Sequence, residues 1–299
     1  MYLRKILKKV FKNKESDKEP YLWEIPGHFY SPVTNSEEIM EHEDELFKKK
    51  VKRIEGIDLN RKAQVKLLER FNSFYPKQPF KESKQQSSNR YYFENDFFSY
   101  SDGLALYSMI REFRPKRIIE IGSGFSSAVM LDTNEKFFHN KINLKFIEPY
   151  PGDILNSVLE EGDSKSKHLE ILESKLQSID LTVFDELEEN DILFVDSSHV
   201  SKTGSDVNYI FFNILPRLKK GVIVHFHDIF YPFQYPKPWV YQMRSWNEAY
   251  LLRSFLTFNS HFEILFFNDY LWTYEPENYK KNLPLADKNH GGSIWIRRK

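Results

Sequence analysis

The sequence predicts an α/β protein built on a doubly wound, mostly parallel seven-stranded sheet. From Ser101 onward, short continuous apolar runs alternate with stretches of helical periodicity. Strands that are apolar on both faces are typical of a parallel sheet covered by helices on each side. The last two apolar runs are joined by a polar loop (274–292) that lacks a convincing helix, which predicts an antiparallel strand at the C-terminal end.

Seven apolar runs are the strand candidates: 117–122, 144–149, 169–174, 191–196, 221–228, 262–267 and 293–298. A helix over 102–113 precedes the first strand, and Pro115 stops it. Helical patterns over 204–218 and 246–258 follow the fourth and fifth strands.

The N-terminal third differs in character from the rest of the chain. Residues 37–75 carry a charge-rich helical pattern, so we predict a helical extension over 1–95 and one α/β domain over 96–299. The extension is expected to cap the mouth of the site or to form a surface bundle or dimer contact. Residues 2–12 predict a basic amphipathic helix that docks on its own domain or contacts an anionic membrane surface.

Composition excludes several classes of protein. Lys+Arg and Asp+Glu balance at 43 each, which disfavours a nucleic-acid partner. The chain has no cysteine, so it has no disulfide framework and no thiolate zinc site. It also lacks an apolar run long enough to span a bilayer. We expect a cytoplasmic protein. If the amphipathic helix over 2–12 contacts a membrane, the protein would lie at the inner membrane surface.

A glycine-containing turn follows the first predicted strand. Gly122 and Gly124 permit a sharp turn and close approach of a ligand, and Ser126 and Ser127 follow at the start of a helix, where N–H groups attract anions. Glu148 follows the second strand, where an acid accepts ribose hydroxyls. These features indicate a nucleoside-bearing ligand. A dinucleotide remains an alternative ligand, although the dinucleotide-binding motif requires a third glycine at the position that Ser127 occupies here.

Over about residues 101–299 the chain resembles class I S-adenosylmethionine (SAM) dependent methyltransferases, in particular the catechol-type and macrocin-type O-methyltransferases. The resemblance rests on the motifs EIGSGFSS, FIEPYP, LFVDSSHVSKTGSDV and LKKGVIVHFHDIF. It implies a Rossmann-like fold with SAM as cofactor. By resemblance, Glu120 and the turn residues Gly122, Ser123, Gly124, Ser126 and Ser127 would hold the methionine part of SAM. Glu148 would hold the ribose, and Gln177 the adenine.

Two acids end neighbouring strands of the predicted sheet. Asp196 is the last residue of the fourth predicted strand and Asp228 the last of the fifth, so both should lie at one edge. In metal-dependent relatives, acids at these places hold a magnesium-like cation that lowers the pKa of a substrate hydroxyl. Here Ile229 replaces an expected amide ligand. The alternative is that both acids bind loop N–H groups or, for Asp196, the cofactor amine.

Histidines lie close to both acids. His199 stands where relatives have a basic residue, and its imidazole could remove a hydroxyl proton; the alternative is a hydrogen-bonded loop histidine. His225 and His227 share a face of the fifth strand. His227, nearer the edge, is the better catalytic candidate, and His225 is expected to be a hydrogen-bonded histidine of the core. Asp206 matches a recurrent acid of the family or caps a helix. The aromatic loop 230–239 either stacks on an acceptor or forms a packed lid.

We therefore predict a SAM-dependent methyltransferase that methylates a hydroxyl of a small molecule or glycan. Transfer at the sulfonium needs positioning and a deprotonated acceptor. Two alternatives stay open at this level. One is an NAD-dependent oxidoreductase, and the other is a non-catalytic SAM-binding or scaffolding protein.

Overall fold

The computed structural model describes residues 23–48 and 51–299. The chain divides into two units, Met1–Glu43 and Asp44–Lys299. The predicted amphipathic helix over 2–12 lies outside the described residues, and the predicted domain boundary after residue 95 stays a prediction. Within the described part of the chain, no helix combines the length and the apolar character needed to cross a membrane.

The described part of the first unit contains a short helix and a small aromatic cluster. Asn35 caps helix α1 (Ser36–Glu41), because its side chain accepts a hydrogen bond from the Glu37 N–H at 2.9 Å. Trp23 and Tyr30 stack with their ring centroids 5.5 Å apart. These local contacts give the segment its turn-rich form.

The second unit contains one seven-stranded sheet. Its strands are β1 (Arg117–Ile121), β2 (Asn143–Ile147), β3 (Leu169–Leu172), β4 (Ile192–Val195), β5 (Ile223–His227), β6 (Phe262–Phe267) and β7 (Ser293–Arg298). Their order across the sheet is β3-β2-β1-β4-β5-β7-β6. Strands β1 to β5 are parallel, whereas β7 runs antiparallel to both β5 and β6. The predicted sheet, with its antiparallel C-terminal strand, is confirmed.

Helix α2 (Glu43–Leu46) begins at the boundary between the units. The helices of the second unit are α3 (Arg61–Phe71), α4 (Tyr100–Phe113), α5 (Phe125–Phe138), α6 (Gly152–Val158), α7 (Thr182–Asp185), α8 (Asp206–Tyr209), α9 (Lys237–Tyr241), α10 (Glu248–Leu256), α11 (Asn268–Tyr274) and α12 (Pro276–Asn282). After α8 the chain continues as a π-helical segment (Ile210–Ile214) and a 3-10 turn (Leu215–Arg217).

Two local predictions differ from the structure. In the charge-rich pattern over 37–75, α2 ends at Leu46 and α3 begins at Arg61, and the described residues between them are not helical. The connection 274–292, predicted as a loop, contains α12 and a 3-10 helix (Pro284–Lys288). Each of these begins with proline, which favours the first turn of a helix, and buried Tyr279 and Leu283 attach the segment to the core.

The carboxyl ends of the central strands meet at one edge of the sheet. The Asp196 N–H donates to Ile121 O at 2.8 Å, which places the loop after β4 beside the loop after β1. On the other side, the Gly122 N–H donates to Ile147 O at 3.0 Å. Strands β1, β4 and β5 are almost wholly buried because helices cover both faces. The edge is therefore held rigidly from three strands.

Candidate active site

The turn after β1 approaches the end of β4 so closely that only glycine fits. Gly122 has φ +79°, and a Cβ atom there would lie 1.9 Å from the carbonyl oxygen of Asp196. The turn leads into the N-terminus of α5, a 14-residue helix whose first N–H groups favour an anion. Ser123 Oγ is buried and has no hydrogen-bond partner among the described residues. The turn thus offers a tight cradle lined by backbone N–H groups and the Ser123 hydroxyl.

Glu120 lies beneath this turn and is fully buried. Its carboxyl accepts hydrogen bonds from Ser126 Oγ at 2.6 Å and Ser127 Oγ at 2.5 Å. Burial raises the pKa of Glu120 to about 8, even though the hydroxyls of Ser126, Ser127 and Ser123 lower it. Glu120 therefore binds the start of α5 to the end of β1, and its predicted contact with methionine stays a prediction.

Glu148 presents a half-buried carboxylate beside the turn. Its oxygens accept hydrogen bonds from the Ser123 N–H at 3.1 Å and the Tyr150 N–H at 2.8 Å, so backbone groups fix its direction. Gln177, predicted to face adenine, is exposed, and its Nε2 donates to Gly204 O at 2.8 Å. The structure brings Glu148 next to the glycine turn, and it places Gln177 between β3 and β4, where its side chain contacts the loop that follows β4.

A compact cluster of charged side chains occupies the edge beyond β4 and β5. His199 Nε2 lies 3.3 Å from Asp196 Oδ1 and 3.7 Å from Asp228 Oδ2. His199 and Asp228 both adopt left-handed backbone conformations, with φ of 59° and 56°. Non-glycine residues in this region carry a conformational cost and concentrate at functional sites. The predicted neighbours Asp196, His199 and Asp228 thus come together.

Glu248 completes the cluster, although the sequence alone gave it no assignment. Its buried carboxylate lies 2.9 Å from His199 Nδ1 and also accepts a hydrogen bond from Ser197 Oγ at 3.0 Å. The His199 ring is therefore held from both nitrogens. An acid at the first turn of a helix usually complements the helix dipole, so no sequence signal distinguished this one.

The electrostatics of the cluster favour a protonated His199. Burial alone would lower the pKa of His199, but its hydrogen bonds to Asp196 and Glu248 outweigh burial and raise that pKa well above its ordinary value. Burial tends to raise the pKa of Asp196, yet the nearby His227 and His199 hold it below its ordinary value. The pKa of Asp228 is raised, mainly by burial. The group is an imidazolium surrounded by carboxylates.

The two strand histidines differ in their surroundings. His225 is fully buried and stacks on Phe194, with centroids 3.9 Å apart, and neither of its ring nitrogens has a partner among the described residues. It is buried as predicted, but without hydrogen bonds. Burial lowers its pKa well below the ordinary value, so it is neutral. His227 Nε2 lies 3.6 Å from Asp228 Oδ1, at the margin of the cluster.

Asp102 is a second acid that sequence reasoning missed. It lies in the first turn of α4 and is buried, and it accepts hydrogen bonds from Ser293 Oγ at 2.8 Å and the Gly292 N–H at 3.2 Å. It therefore joins α4 to the start of β7 behind His227. Asp206, on the other side, accepts from the Ser198 N–H at 2.8 Å and so anchors the loop that carries His199.

Aromatic side chains form a wall next to the cluster. Their order, from His199 outward, is Trp246, Trp239 and Phe230, with successive ring centroids 4.4, 5.3 and 5.3 Å apart. In contrast, Tyr231, Phe233 and Tyr235 of the same loop are buried in the core. The aromatic loop thus divides into core residues and residues that face the site.

A metal ion stays a prediction for this edge. No group of three or more His, Asp, Glu or Cys side chains suited to a metal ion is found within 23–48 and 51–299. The imidazole nitrogen of His199 lies against both Asp196 and Asp228, in the position that a bridging cation would need. The described donor set therefore does not fit a cation in this arrangement, and no chemical step is assigned to one.

The fold and the site together define an α/β enzyme of the methyltransferase class. A family model described as a methyltransferase domain matches residues 119–229, which span the glycine turn, Glu148, the β4 loop and Asp228. An uncharacterized protein of Archaeoglobus fulgidus is 36% identical over 199 residues, covering 65% of this chain and 88% of the relative. The chain belongs to the class I SAM-dependent methyltransferase family.

Solved structures of similar fold are more distant. The O-methyltransferase TomG from Streptomyces achromogenes, in complex with SAM, is 15% identical with a TM-score of 0.44, over 88% of this chain and 96% of that one. The SAH-bound methyltransferase PaMTH1 of Podospora anserina is 17% identical with a TM-score of 0.42, over 93% and 100%. Neither likeness is close enough to assign a substrate.

Proposed function

We propose that this enzyme transfers the methyl group of SAM to a hydroxyl of a small molecule or glycan. The observation that carries the proposal is the meeting of the glycine turn and Glu148 with the Asp196–His199–Asp228 cluster at one edge of the sheet. SAM would supply an electrophilic methyl group on its sulfonium. The residues of the chain then have to hold the acceptor oxygen and take its proton.

The glycine turn and Glu148 suit the cofactor. The turn residues and the N-terminus of α5 would bind the methionine carboxylate, and Ser123 Oγ has hydrogen-bonding capacity to spare. The Glu148 carboxylate would accept the ribose hydroxyls. Asp196, beside the turn, would face the methionine amine or the acceptor.

The charged cluster suits a hydroxyl acceptor. His199 has a raised pKa and is held by carboxylates at both ring nitrogens, so near neutral pH it is suited to donate a hydrogen bond and orient the two aspartates. Asp228 has an elevated pKa and 18% of its side chain exposed, and we propose that it takes the hydroxyl proton as the new C–O bond forms. His199 as the base is the alternative, with His227 supporting Asp228 in either case.

Calorimetry and turnover test this proposal in separate steps. The purified protein is titrated with SAM, S-adenosylhomocysteine and NAD, and methyl transfer to a panel of sugars and phenols is followed through S-adenosylhomocysteine release. We expect SAM to bind and NAD not to bind, and acceptors with free hydroxyls to be methylated. Binding of NAD alone, or SAM binding without turnover on any hydroxyl acceptor, would contradict the proposal.

Three variants identify the base. Asp228→Asn should lower kcat by about 100-fold or more without changing SAM affinity. His199→Gln should retain more activity than Asp228→Asn if histidine only orients the site. The reverse ranking would make His199 the base. EDTA should leave turnover unchanged, and loss of turnover that added Mg²⁺ restores would establish a metal requirement instead. Glu173→Gln, which changes an exposed acid outside the site, is the control.

A further inference from the structure

Arg244 lies on the aromatic wall beside the charged cluster. Its guanidinium carbon is 4.2 Å from the ring centroid of Trp239 and 5.0 Å from that of Trp246. A cation over the faces of two tryptophans is attracted by both ring quadrupoles. Arg244 is nevertheless exposed, so the two rings hold its charge in place without burying it.

The hydrogen-bonding capacity of this guanidinium is largely unused. Its Nε donates to Gln242 Oε1 at 3.0 Å. Among the residues that the structure describes, no carboxylate lies within ion-pair distance of it. By contrast, Arg61, Arg90 and Arg217 each pair with carboxylates. Arg244 therefore keeps a planar set of donors directed to something other than the described protein.

The backbone around Arg244 is unusual. Met243 and Ser245, on either side of it, both adopt left-handed conformations, with φ of 60° and 53°. Non-glycine residues in this region carry a conformational cost and persist where the surroundings impose it. The turn therefore holds the Arg244 side chain between two tryptophans at a cost in backbone conformational energy.

Arg244 lies on the side of the site where the acceptor would bind, and not on the side where SAM would bind. Trp246 contacts both Arg244 and the His199 ring, so a single tryptophan ring separates the guanidinium from the charged cluster. Trp239 contacts Phe230, two residues beyond Asp228. These residues follow β4 and β5, whereas the glycine turn and Glu148 follow β1 and β2. The carboxylate of SAM would bind on the other side of β4.

Charge determines how an acceptor would be oriented here. Three carboxylates, of Asp196, Asp228 and Glu248, face the imidazoles of His199 and His227, so the cluster keeps a net negative charge when all five groups are ionised. An anionic group of the acceptor would be repelled from that end and attracted to Arg244. A ring between the two would lie along the aromatic wall.

We propose that Arg244, held by Trp239 and Trp246, binds an anionic group, a carboxylate or a phosphate, of the acceptor that this enzyme methylates. The inference rests on the proposed function, because it names the class of acceptor for the same site. It predicts an acidic sugar or a similar acidic ring compound whose free hydroxyl reaches Asp228 while its anion pairs with Arg244.

The test uses the full chain and radiolabelled SAM. An extract of the cells that make the protein, soluble and detergent-solubilised, is incubated with enzyme and [methyl-³H]SAM, and the labelled product is separated by anion exchange. We expect the label to be retained and eluted by salt. Phosphatase treatment would abolish retention for a phosphate monoester and leave it for a carboxylate. A labelled product that passes through uncharged would overturn the inference.

Matched variants assign the recognition to this arginine. Arg244→Gln should reduce kcat/KM for the isolated acceptor about tenfold or more, mainly through KM, and Arg244→Lys should recover part of the loss. Arg253→Gln, which removes an exposed arginine of α10, is the control and should match wild type. Unchanged KM in Arg244→Gln would overturn the inference.

Titration of each variant with SAM keeps the two failures apart. If the protein binds SAM but its labelled product is uncharged, the inference about the acceptor is wrong and the proposed function stands. Protein that binds SAM and labels nothing sinks the proposed function, and the inference with it.

Discussion

Replacement of Glu120 by glutamine should stabilise the ligand-free enzyme, increasingly so as the pH rises. In the folded protein burial raises the pKa of Glu120 to about 8, compared with 4.5 for an ordinary glutamate. Between these values the folded state keeps a proton that the unfolded chain has lost. The contribution of Glu120 to stability therefore falls as pH increases through this window, and above pH 8 its full cost is present. That pKa difference corresponds to at most about 5 kcal/mol.

Glutamine is neutral throughout and removes this dependence. It keeps one carbonyl acceptor for Ser126, while its amide would require the Ser127 hydroxyl to accept instead of donate, at a cost of about 1 kcal/mol. We expect Glu120→Gln to raise the free energy of unfolding by about 2–4 kcal/mol at pH 9 and to differ little from wild type at pH 5.

Urea denaturation followed by tryptophan fluorescence between pH 5 and 9, without SAM, measures the difference. Glu173→Gln, which changes an exposed acid, controls for the loss of one negative charge. A difference that does not vary with pH, or a Glu120→Gln variant that becomes less stable at high pH, would refute the reasoning.

Three other outcomes are expected. Glu148→Ala should weaken SAM binding in calorimetry by about 1.5–3 kcal/mol, through loss of charge-assisted hydrogen bonds to ribose, and unchanged affinity would remove Glu148 from the site. Arg90→Met should lower the free energy of unfolding by about 3–5 kcal/mol, because Arg90 pairs with buried Asp132 and Asp163; urea midpoints equal to those of wild type would contradict this. Deletion of residues 1–12 should leave SAM affinity intact and reduce sedimentation with anionic liposomes, and full-length protein that ignores such liposomes at low salt would end the membrane hypothesis.

Much of the candidate site was accessible from the sequence because parallel strands deliver their following residues to one edge. Asp196 and Asp228 were predicted to meet from their positions alone, and both lie against His199. The glycine turn could be predicted because only residues without Cβ permit such approach, as Gly122 shows with its contact to the end of β4.

Long-range partners were not accessible in that way. Glu248 holds His199 from 49 positions away, and Asp102 reaches Ser293 over 191. Nothing in the local pattern around either acid indicates its partner, since an acid in the first turn of a helix is common on every surface. The sequence suggested that His199 is a free base, whereas the structure shows an imidazolium held between carboxylates. The difference arises from Glu248, which could not be recognised as its partner from the sequence.

By itself the sequence determined the order of the strands along the chain, the antiparallel end of the sheet and the residues that follow each strand, because periodicity and chain direction are local properties. Only the tertiary structure decided which acids surround His199, which aromatic residues of 230–239 enter the core, and that Arg244 lies between two tryptophans. These depend on packing between elements distant in sequence. Burial and charge, which set the pKa values at the site, arise from the same packing.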